Sequence, residues 1–195
     1  MKPTQKRVIL ASMSPRRTEL LAKAGIHHEV IPSNVVEGVN GREAADEYVG
    51  RLAREKAIDV ARDNRDAVVI GSDTVVVLDG KILEKPNDRE EARRMLGQLS
   101  GATHDVLTGV SIIGPERQDL FVTATRVTFI DIPEAWLEGY LDSAEPYDKA
   151  GAYGIQGSGG LFVERLEGDY YNVVGLPLQP LVRTLEGHGV TPRFL

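Results

Sequence analysis

The chain has no cysteine, which excludes disulfide bonds, thiol nucleophiles and zinc sites built on cysteine. Its histidines show no spacing typical of a metal site; they are His27, His28, His104 and His188. Basic residues are too few to balance the acidic ones, and the formal net charge of −6 argues against a general nucleic-acid or membrane-surface binder. Any site for anions must therefore be a local basic pocket.

Long apolar runs are also missing. No apolar stretch approaches the length of a membrane span, and residues 1–7 lack the apolar core of a signal peptide. We therefore expect a cytoplasmic protein with no membrane partner and no stable nucleic-acid partner. The 195 residues contain no internal repeat, low-complexity tract or linker, so we expect one domain over residues 1–195, with room for two lobes.

Strand and helix patterns alternate along the chain, which indicates an α/β fold. The continuous apolar run at residues 67–71 predicts a strand buried on both faces. Hairpins are predicted over residues 74–83, with a type I′ turn at Asp79-Gly80, and around Glu167-Gly168. Further strands are predicted near residues 8–11, 28–31, 106–113 and 120–130. Helices are predicted near residues 15–24, 42–63, 88–100, 133–141 and 177–187.

The first helix has an unusual charge pattern. Ser14 is a favourable N-cap and Pro15 a preferred first residue, so Arg16 and Arg17 fall in the first turn. The helix dipole is positive there, and each cation costs roughly 0.3–1 kcal/mol. Two guanidinium groups at such an end suit a polyanion, most simply a phosphate chain; the alternative is two solvated arginines. We expect replacement of either by alanine to leave stability unchanged or slightly higher.

Asp73 and Lys56 are the next unusual positions. Asp73 follows the buried strand, where it can bind Mg²⁺ or orient an attacking water; the alternative is an Asx-type turn or cap. Lys56 lies at the edge of an apolar helix face, so it either extends to solvent or points its ammonium into an interior cleft. Lys85, extended before Pro86, can add a further cation. Glu37 is either a second metal ligand or a surface glutamate.

Recognised nucleotide and hydrolase motifs are absent: there is no phosphate loop, no G-x-G-x-x-G after a strand and no G-x-S-x-G elbow. Residues 151–160 nevertheless form a glycine-rich loop that can approach a ligand closely. Its amide side chain, Gln156, can both donate and accept hydrogen bonds, as recognition of a base requires. The alternative is a plain turn between strands.

Taken together, six segments resemble the Maf family of nucleoside triphosphate pyrophosphatases, also called septum formation proteins. The first three are Ala11-Ser12-x-Ser14-Pro15-Arg16-Arg17-x-Glu19-Leu20-Leu21, Ser72-Asp73-Thr74-Val75-Val76 and Glu84-Lys85-Pro86. The others are Ser100-Gly101-x-x-His104-x-Val106-x-Thr108-Gly109, Glu145-Pro146-x-Asp148-Lys149-Ala150-Gly151-Ala152-Tyr153-Gly154-Ile155-Gln156-Gly157 and Asn172-Val173-Val174-Gly175-Leu176-Pro177. They occur in family order over nearly the whole chain. Met13 departs from the small residue expected there.

The resemblance implies a mixed, twisted α/β sheet in two lobes with a central cleft, similar to the inosine triphosphate pyrophosphatases. It implies hydrolysis of a nucleoside triphosphate to the monophosphate and pyrophosphate, a divalent cation (Mg, Mn or Co) and a homodimer. The catalytic positions implied are Asp73, Glu37 and Lys85, of which Glu37 and Asp73 also hold the metal. The substrate-binding positions implied are Ser12, Arg16, Arg17, Lys56, Thr74 and Gln156.

Within the family, Arg16, Thr74 and Gln156 resemble the subgroup that acts on dTTP and UTP. One alternative is hydrolysis of 7-methyl-GTP, the substrate of the other main subgroup. A second is a nucleotide-binding regulator of cell division with little turnover, and a third is a scaffold protein. Retention of both Glu37 and Asp73 argues against the regulator, because pure binding of a triphosphate gains nothing from added negative charge.

Overall fold

The computed structural model of the protein describes residues 6–38 and 43–193. The strands within these ranges are β1 (Val8–Leu10), β2 (Glu29–Val30), β3 (Val68–Leu78), β4 (Lys81–Leu83), β5 (Thr103–Ile113), β6 (Gln118–Phe129) and β7 (Val163–Glu167). The α-helices are α1 (Pro15–Lys23), α2 (Ala45–Ala61), α3 (Arg89–Leu99), α4 (Glu134–Leu141), α5 (Tyr170–Val174) and α6 (Leu178–Gly187). Within the same ranges, three short 3₁₀ helices lie at Glu145–Asp148, Ala150–Ala152 and Ser158–Phe162. Arg42, where the sequence predicted the second helix to begin, and residues 1–5 lie outside the described ranges.

The strands form a mixed sheet in the order β2-β1-β3-β5-β6-β7, with β4 beside β3. The β1 strand pairs in parallel with β2 and β3, whereas β3 and β4, and β6 and β7, pair antiparallel. The α/β class with a mixed sheet, predicted from the sequence, is confirmed. In the described part of the chain, no helix combines the length and the apolar character needed to cross a membrane.

Two predicted hairpins have different outcomes. The turn at Asp79 (φ 50°) and Gly80 (φ 74°) is left-handed at both residues, as a type I′ turn requires, and it joins β3 to β4. However, β3 is one unbroken strand that extends well past Gly71. The predicted hairpin around Glu167-Gly168 is wrong: β7 pairs with β6, and the chain after Gly168 enters α5. The turn signal there marks the start of a short helix.

The chain divides into two compact units. The first contains the described residues up to Asp73, Thr108–Thr123 and the residues from Gly175 onward; the second contains Thr74–Leu107 and Ala124–Val174. One buried cluster of the first unit consists of Ile9, Ala11, Ala57, Val60, Ala67 and Val69. The second unit has a larger core, to which α3, α4 and an aromatic group that includes Phe129, Tyr153 and Phe162 contribute.

Two glycines of the first unit bring α2 close to the sheet. A Cβ atom on Gly71 would lie 2.2 Å from the carbonyl oxygen of Ala53, and one on Gly109 would lie 2.3 Å from that of Val49. No side chain fits at either position, so glycine allows the helix backbone to approach β3 and β5 directly. The buried face of α2, which includes Lys56, is thereby held against β3.

Candidate active site

Lys56 joins two of the predicted carboxylates. Its side chain is buried, and its Nζ donates hydrogen bonds to Glu37 Oε1 at 2.6 Å and to Asp73 Oδ1 at 2.7 Å. Lys56 therefore does not extend to solvent, and the alternative of an inward ammonium is correct. We call Glu37, Lys56 and Asp73 the carboxylate–lysine cluster.

The close packing of α2 explains why this cluster forms. Lys56 lies between Ala53 and Ala57, the two residues whose backbone or side chain a Cβ on Gly71 would strike. Side chains alternate along a strand, so Asp73 shares the face of Gly71. The ammonium is thus carried to within hydrogen-bond distance of the Asp73 carboxylate. Glu37, in the connection before α2, completes the cluster from a more exposed position.

Asp73 lies inside β3 and not at its end, so the interpretation of Asp73 as an Asx-type turn is wrong. The reasoning from strand ends still applies to the neighbouring strand. The β1 strand pairs with β3 at Val68–Ile70, and the amide of Ala11 donates to the carbonyl of Ile70 at 2.8 Å. Asp73 therefore lies past the carboxyl end of β1, where ligand sites of α/β sheets gather.

The two adjacent arginines of α1 differ. Arg17 donates from Nε to the carbonyl oxygen of Gly175 at 2.9 Å and from a terminal nitrogen to Ser12 Oγ at 3.2 Å. Desolvation lowers the pKa of the Arg17 guanidinium, while the negative charges of Asp73 and Glu37 act in the opposite direction. The solvated alternative is therefore wrong for Arg17. Arg16 is half-buried, and its positive charge adds to the lowering of the Arg17 pKa.

The hydroxyl that organises the start of α1 belongs to Ser12. Ser14 occupies the N-cap position with extended backbone, as predicted, but its side chain makes no capping hydrogen bond. Instead Ser12 Oγ accepts from the backbone amide of Ser14 at 3.2 Å and also from Arg17. Ser12 thus fixes both the helix entry and one arginine. The sequence pointed to Ser14 because serine is a preferred N-cap residue, and local preference does not show which of two nearby serines makes the bond.

The first unit therefore contains six of the predicted site residues. Three of them, Glu37, Lys56 and Asp73, form the carboxylate–lysine cluster. Arg17 interacts with the charges of both carboxylates, and it is in turn close to Arg16 and bonded to Ser12. Among residues 6–38 and 43–193, no group of three or more His, Asp or Glu side chains is arranged to hold a metal ion. The pair Glu37 and Asp73 is nevertheless the donor set that suits Mg²⁺, which commonly takes one or two carboxylates and completes its shell with water and substrate phosphates. The residues present fit a metal held jointly with a substrate.

Three predicted residues belong to the second unit. Thr74 follows Asp73 directly and is half-buried, while Lys85 and Gln156 are exposed. The carbonyl of Glu84 accepts from the amide of Gly151 at 3.2 Å, so the Lys85 segment is joined to the start of the glycine-rich loop. A charged side chain and an amide side chain are thus presented from connected segments.

The glycines of that loop pack against the protein's own atoms. A Cβ atom would lie 2.9 Å from the side chain of Val76 if placed on Gly151, which also has a positive φ of 68°. It would lie 2.4 Å from the Glu145 carboxylate if placed on Gly157, and 2.5 Å from the Ile155 carbonyl if placed on Gly160. The expectation that this loop approaches a ligand closely is not tested by these contacts and stays a prediction. What the contacts explain is the three glycines themselves. They serve the packing of the loop itself.

Sequence reasoning gave no role to two groups that hold these residues in place. The carbonyl of Gly175 accepts from Arg17 and, at 3.3 Å, from the buried hydroxyl of Ser72. The Glu145 carboxylate accepts from backbone amides of the glycine-rich loop. A backbone carbonyl leaves no mark in a sequence, but a glutamate before a run of glycines is a signal that could have been weighed.

The comparisons with known proteins agree with one another. The family model described as Maf-like protein matches residues 7–188. The chain is similar to proteins named dTTP/UTP pyrophosphatase from Exiguobacterium sibiricum (52% identity; 98% of this chain, 97% of that one) and Bacillus pumilus (49% identity; 95% and 98%). It is also similar to the protein of that name from Halalkalibacterium halodurans, with 48% identity over the full length of both chains.

A solved structure, that of the Staphylococcus aureus Ham1 protein, aligns with 94% of this chain and all of its own at 17% identity and a TM-score of 0.48. The family assignment rests on the sequence matches alone. A family model that spans most of the chain, together with relatives near half identity over their full length, shows that this chain belongs to the Maf-like protein family.

Proposed function

We propose that this protein hydrolyses dTTP and UTP to the nucleoside monophosphate and pyrophosphate. The observation that carries the proposal is the carboxylate–lysine cluster, beside which two arginines of a helix N-terminus stand. The choice of substrate is supported by relatives named dTTP/UTP pyrophosphatase, which match this chain over nearly the whole length of both proteins. The arrangement combines a carboxylate that can accept a proton with cations that suit a triphosphate.

Asp73 is the proposed general base. A water molecule attacks the α-phosphorus, its oxygen forms the new P–O bond, and the bond to the β-phosphate oxygen breaks so that pyrophosphate leaves with the electron pair. Asp73 accepts the proton from the attacking water. A carboxylate has acceptor capacity for about four hydrogen bonds, of which Lys56 takes one at Oδ1. The salt bridge with Lys56 thus orients the Asp73 carboxylate and leaves it able to accept further hydrogen bonds.

Lys56 reduces the repulsion between Glu37 and Asp73 and fixes their separation through one shared ammonium. That ammonium has three donors, two of which bond the carboxylates, and the third can donate to a phosphate oxygen. Arg16 and Arg17 add guanidinium groups near the same cluster, and we propose that Lys85 also contacts the phosphates. These cations stabilise the negative charge that grows on the departing pyrophosphate.

We propose that Glu37 and Asp73 hold a divalent cation (Mg, Mn or Co) together with the substrate. When bound, the metal neutralises phosphate charge and polarises the P–O bonds. Each of the two carboxylates is held in place by the hydrogen bond that it accepts from Lys56. Ser12 acts indirectly, because its hydroxyl positions the Arg17 guanidinium.

Base selection is assigned to Gln156 and Thr74 of the second unit. The Gln156 amide can donate and accept at once, which matches the adjacent donor and acceptor of a uracil or thymine edge. A pocket that bonds such an edge rejects bases that leave its own polar groups unpaired.

From the resemblance alone we also propose a homodimer and a cytoplasmic location, which sedimentation of the purified protein and fractionation of cells can test.

The test is a screen of natural and modified nucleoside triphosphates that measures pyrophosphate release with Mg²⁺, Mn²⁺ or Co²⁺ present. We expect dTTP and UTP to have the highest kcat/KM and 7-methyl-GTP to be hydrolysed poorly. Preference for 7-methyl-GTP would overturn the base assignment and leave the pyrophosphatase activity standing. Nucleotide binding without any turnover would favour the regulator, and the absence of nucleotide-dependent thermal stabilisation would favour the scaffold.

A further inference from the structure

We propose that Glu145 is a positioning residue for base selection: its carboxylate holds the glycine-rich loop in the conformation that presents Gln156. The inference rests on the proposed function and deepens it. It assigns a role to a side chain that is not expected to touch the nucleotide, and it makes the selectivity of Gln156 depend on a contact within the second unit.

The Glu145 carboxylate gathers three donors. Its Oε2 accepts from the backbone amide of Ser158 at 3.0 Å, and its Oε1 accepts from that of Gly159 at 3.1 Å. The hydroxyl of Tyr140 donates to Oε1 at 3.1 Å as well. Burial raises the pKa of Tyr140, so the hydroxyl stays protonated and remains a donor. One carboxylate thus satisfies two consecutive amides that directly follow the turn containing Gln156.

The preceding part of the loop is attached to the same pair of side chains. The amide of Gly154 donates to the Tyr140 oxygen at 3.3 Å, and the amide of Gly157 donates to the carbonyl of Gly154 at 3.3 Å, which closes a turn over residues 154–157. Gln156 therefore lies within a short turn, and the chain on both sides of it is bonded to Tyr140 or Glu145. Such anchoring reduces the ordering cost when an exposed amide engages a ligand.

The sequence of the loop fits this arrangement. A Cβ atom on Gly157 would lie 2.4 Å from Glu145 Oε1 and 2.5 Å from Oε2, and one on Gly159 would lie 2.8 Å from the Tyr140 oxygen. Glycine at these two positions is what lets the carboxylate and the phenol reach the backbone. The Glu145 backbone is itself held, because Lys149 Nζ donates to its carbonyl oxygen at 2.7 Å.

The test compares Glu145→Gln with wild type, using UTP and GTP as substrates. The amide keeps the size of the side chain, but its nitrogen cannot accept, so one of the two loop amides loses its partner. We expect the ratio of kcat/KM for UTP to that for GTP to fall about tenfold, mainly through KM for UTP, with kcat on UTP changed less than threefold. Amide hydrogen exchange at Ser158 and Gly159 should become faster.

Glu91→Gln is the matched control. Glu91 is also a half-buried glutamate of the second unit that accepts from a backbone amide, that of Asn87, at 2.9 Å. It lies outside the glycine-rich loop, so its replacement should leave the UTP/GTP ratio within twofold of wild type. Tyr140→Phe is a second probe of the anchor, because it removes the hydroxyl that joins Gly154 to Glu145. It should lower the ratio in the same direction.

The double variant Glu145→Gln/Gln156→Ala tests whether Glu145 acts through Gln156. If it does, the double variant should have the same UTP/GTP ratio as Gln156→Ala alone. Additive losses would overturn the inference, as would an unchanged ratio in Glu145→Gln with a lower melting temperature. If wild type hydrolyses neither nucleotide, the proposed function fails and the inference with it. If wild type prefers UTP and Glu145→Gln keeps that preference, the inference alone fails.

Discussion

The two groups of predicted site residues are held in place by opposite means. In the first unit, a buried lysine bonds two carboxylates, and the contacts run from side chain to side chain between α2, β3 and the connection before α2. In the second unit, the glycine-rich loop is held through its backbone amides, which donate to Glu145 and Tyr140. Charge fixes the first group, and satisfied backbone polar groups fix the second.

This difference suits the two tasks proposed. Phosphoryl chemistry requires carboxylates and cations whose positions do not change, and a buried ion pair between two regular elements provides that. Base recognition requires an exposed amide that faces the donor and acceptor of the base, and a turn anchored through its backbone can present one. Replacements in the carboxylate–lysine cluster should therefore affect kcat, whereas replacements around the loop should affect selectivity and KM.

The largest effect is expected from Asp73→Asn. The amide keeps the shape of the carboxylate but cannot accept the proton of the attacking water, so turnover should fall about 10³-fold, or roughly 4 kcal/mol. Pyrophosphate release and thermal unfolding should be measured together, with Asp59→Asn as the control, because Asp59 also accepts a hydrogen bond in the first unit. A variant that keeps more than about a tenth of the wild-type rate would show that Asp73 is not the base.

The next largest effect is a pH dependence of the free energy of unfolding that comes from the second unit. Burial lowers the pKa of His104, in the second unit, from 6.5 to about 4. The unfolded chain therefore takes up a proton at a pH where folded His104 stays neutral. Above pH 6.5 His104 is neutral in both the folded and the unfolded chain, so its burial costs no stability there. The free energy of unfolding should then fall by up to about 3 kcal/mol as the pH drops from 6.5 to 4.

Chemical denaturation at a series of pH values would check this, with His104→Gln as the comparison. The variant should show a clearly shallower slope over that range. The same region anchors the loop, because His104 Nε2 lies 2.8 Å from the hydroxyl of Tyr153. An equal slope in both proteins would mean that His104 does not set the acid sensitivity.

Much of the first unit could be predicted from the sequence, because its signals depend on type and spacing. The run at residues 67–71 indicated a buried strand, and the position of Lys56 on a helix face left two orientations to choose between. The choice was made by Gly71, whose missing side chain lets α2 approach until the ammonium reaches Asp73. That is a tertiary distance, and no local pattern encodes it.

The second unit was harder to predict for a related reason. Glycines in a loop fit both close approach to a ligand and close packing on the protein, and the sequence does not distinguish the two. The structure shows packing at Gly157, against the carboxylate of Glu145, which lies twelve positions earlier in the chain. The false hairpin at Glu167-Gly168 arose similarly, because the turn signal was correct but the following residues formed α5.

A mid-sized effect is expected from Gln156→Ala. Loss of one buried hydrogen bond to the base should lower kcat/KM for UTP, by an amount that corresponds to about 2 kcal/mol of lost transition-state stabilisation. The ratio of kcat/KM for pyrimidine substrates to that for purine substrates should fall as well. The melting temperature should not change, because the Gln156 side chain is exposed. Gln98→Ala, on the exposed face of α3, is the control and should change neither quantity. If Gln156→Ala keeps the wild-type preference for UTP, then groups other than Gln156 recognise the base.

The smallest effect concerns the adjacent arginines of α1 and revises the expectation drawn from the sequence. Replacing Arg16 with alanine removes a cation from a positive helix end, so the free energy of unfolding should rise by up to about 0.5 kcal/mol. Replacing Arg17 gives the same relief but loses the hydrogen bonds to the Gly175 carbonyl and Ser12, which for a charged donor exceed it. Arg17→Ala should therefore lower the free energy of unfolding by about 1 kcal/mol.

Both variants should still reduce kcat/KM for UTP, because each removes a cation from beside the carboxylate–lysine cluster. The contacts of Arg17 are tested by the opposite changes expected in the free energy of unfolding, a rise for Arg16→Ala and a fall for Arg17→Ala. Arg54→Ala provides the baseline, because Arg54 is an exposed arginine of α2. Urea titrations of the three variants would measure it. Equal stability of Arg16→Ala and Arg17→Ala would mean that the Gly175 contact contributes nothing in solution. Arg17 would then serve the triphosphate alone, as the helix position by itself suggested.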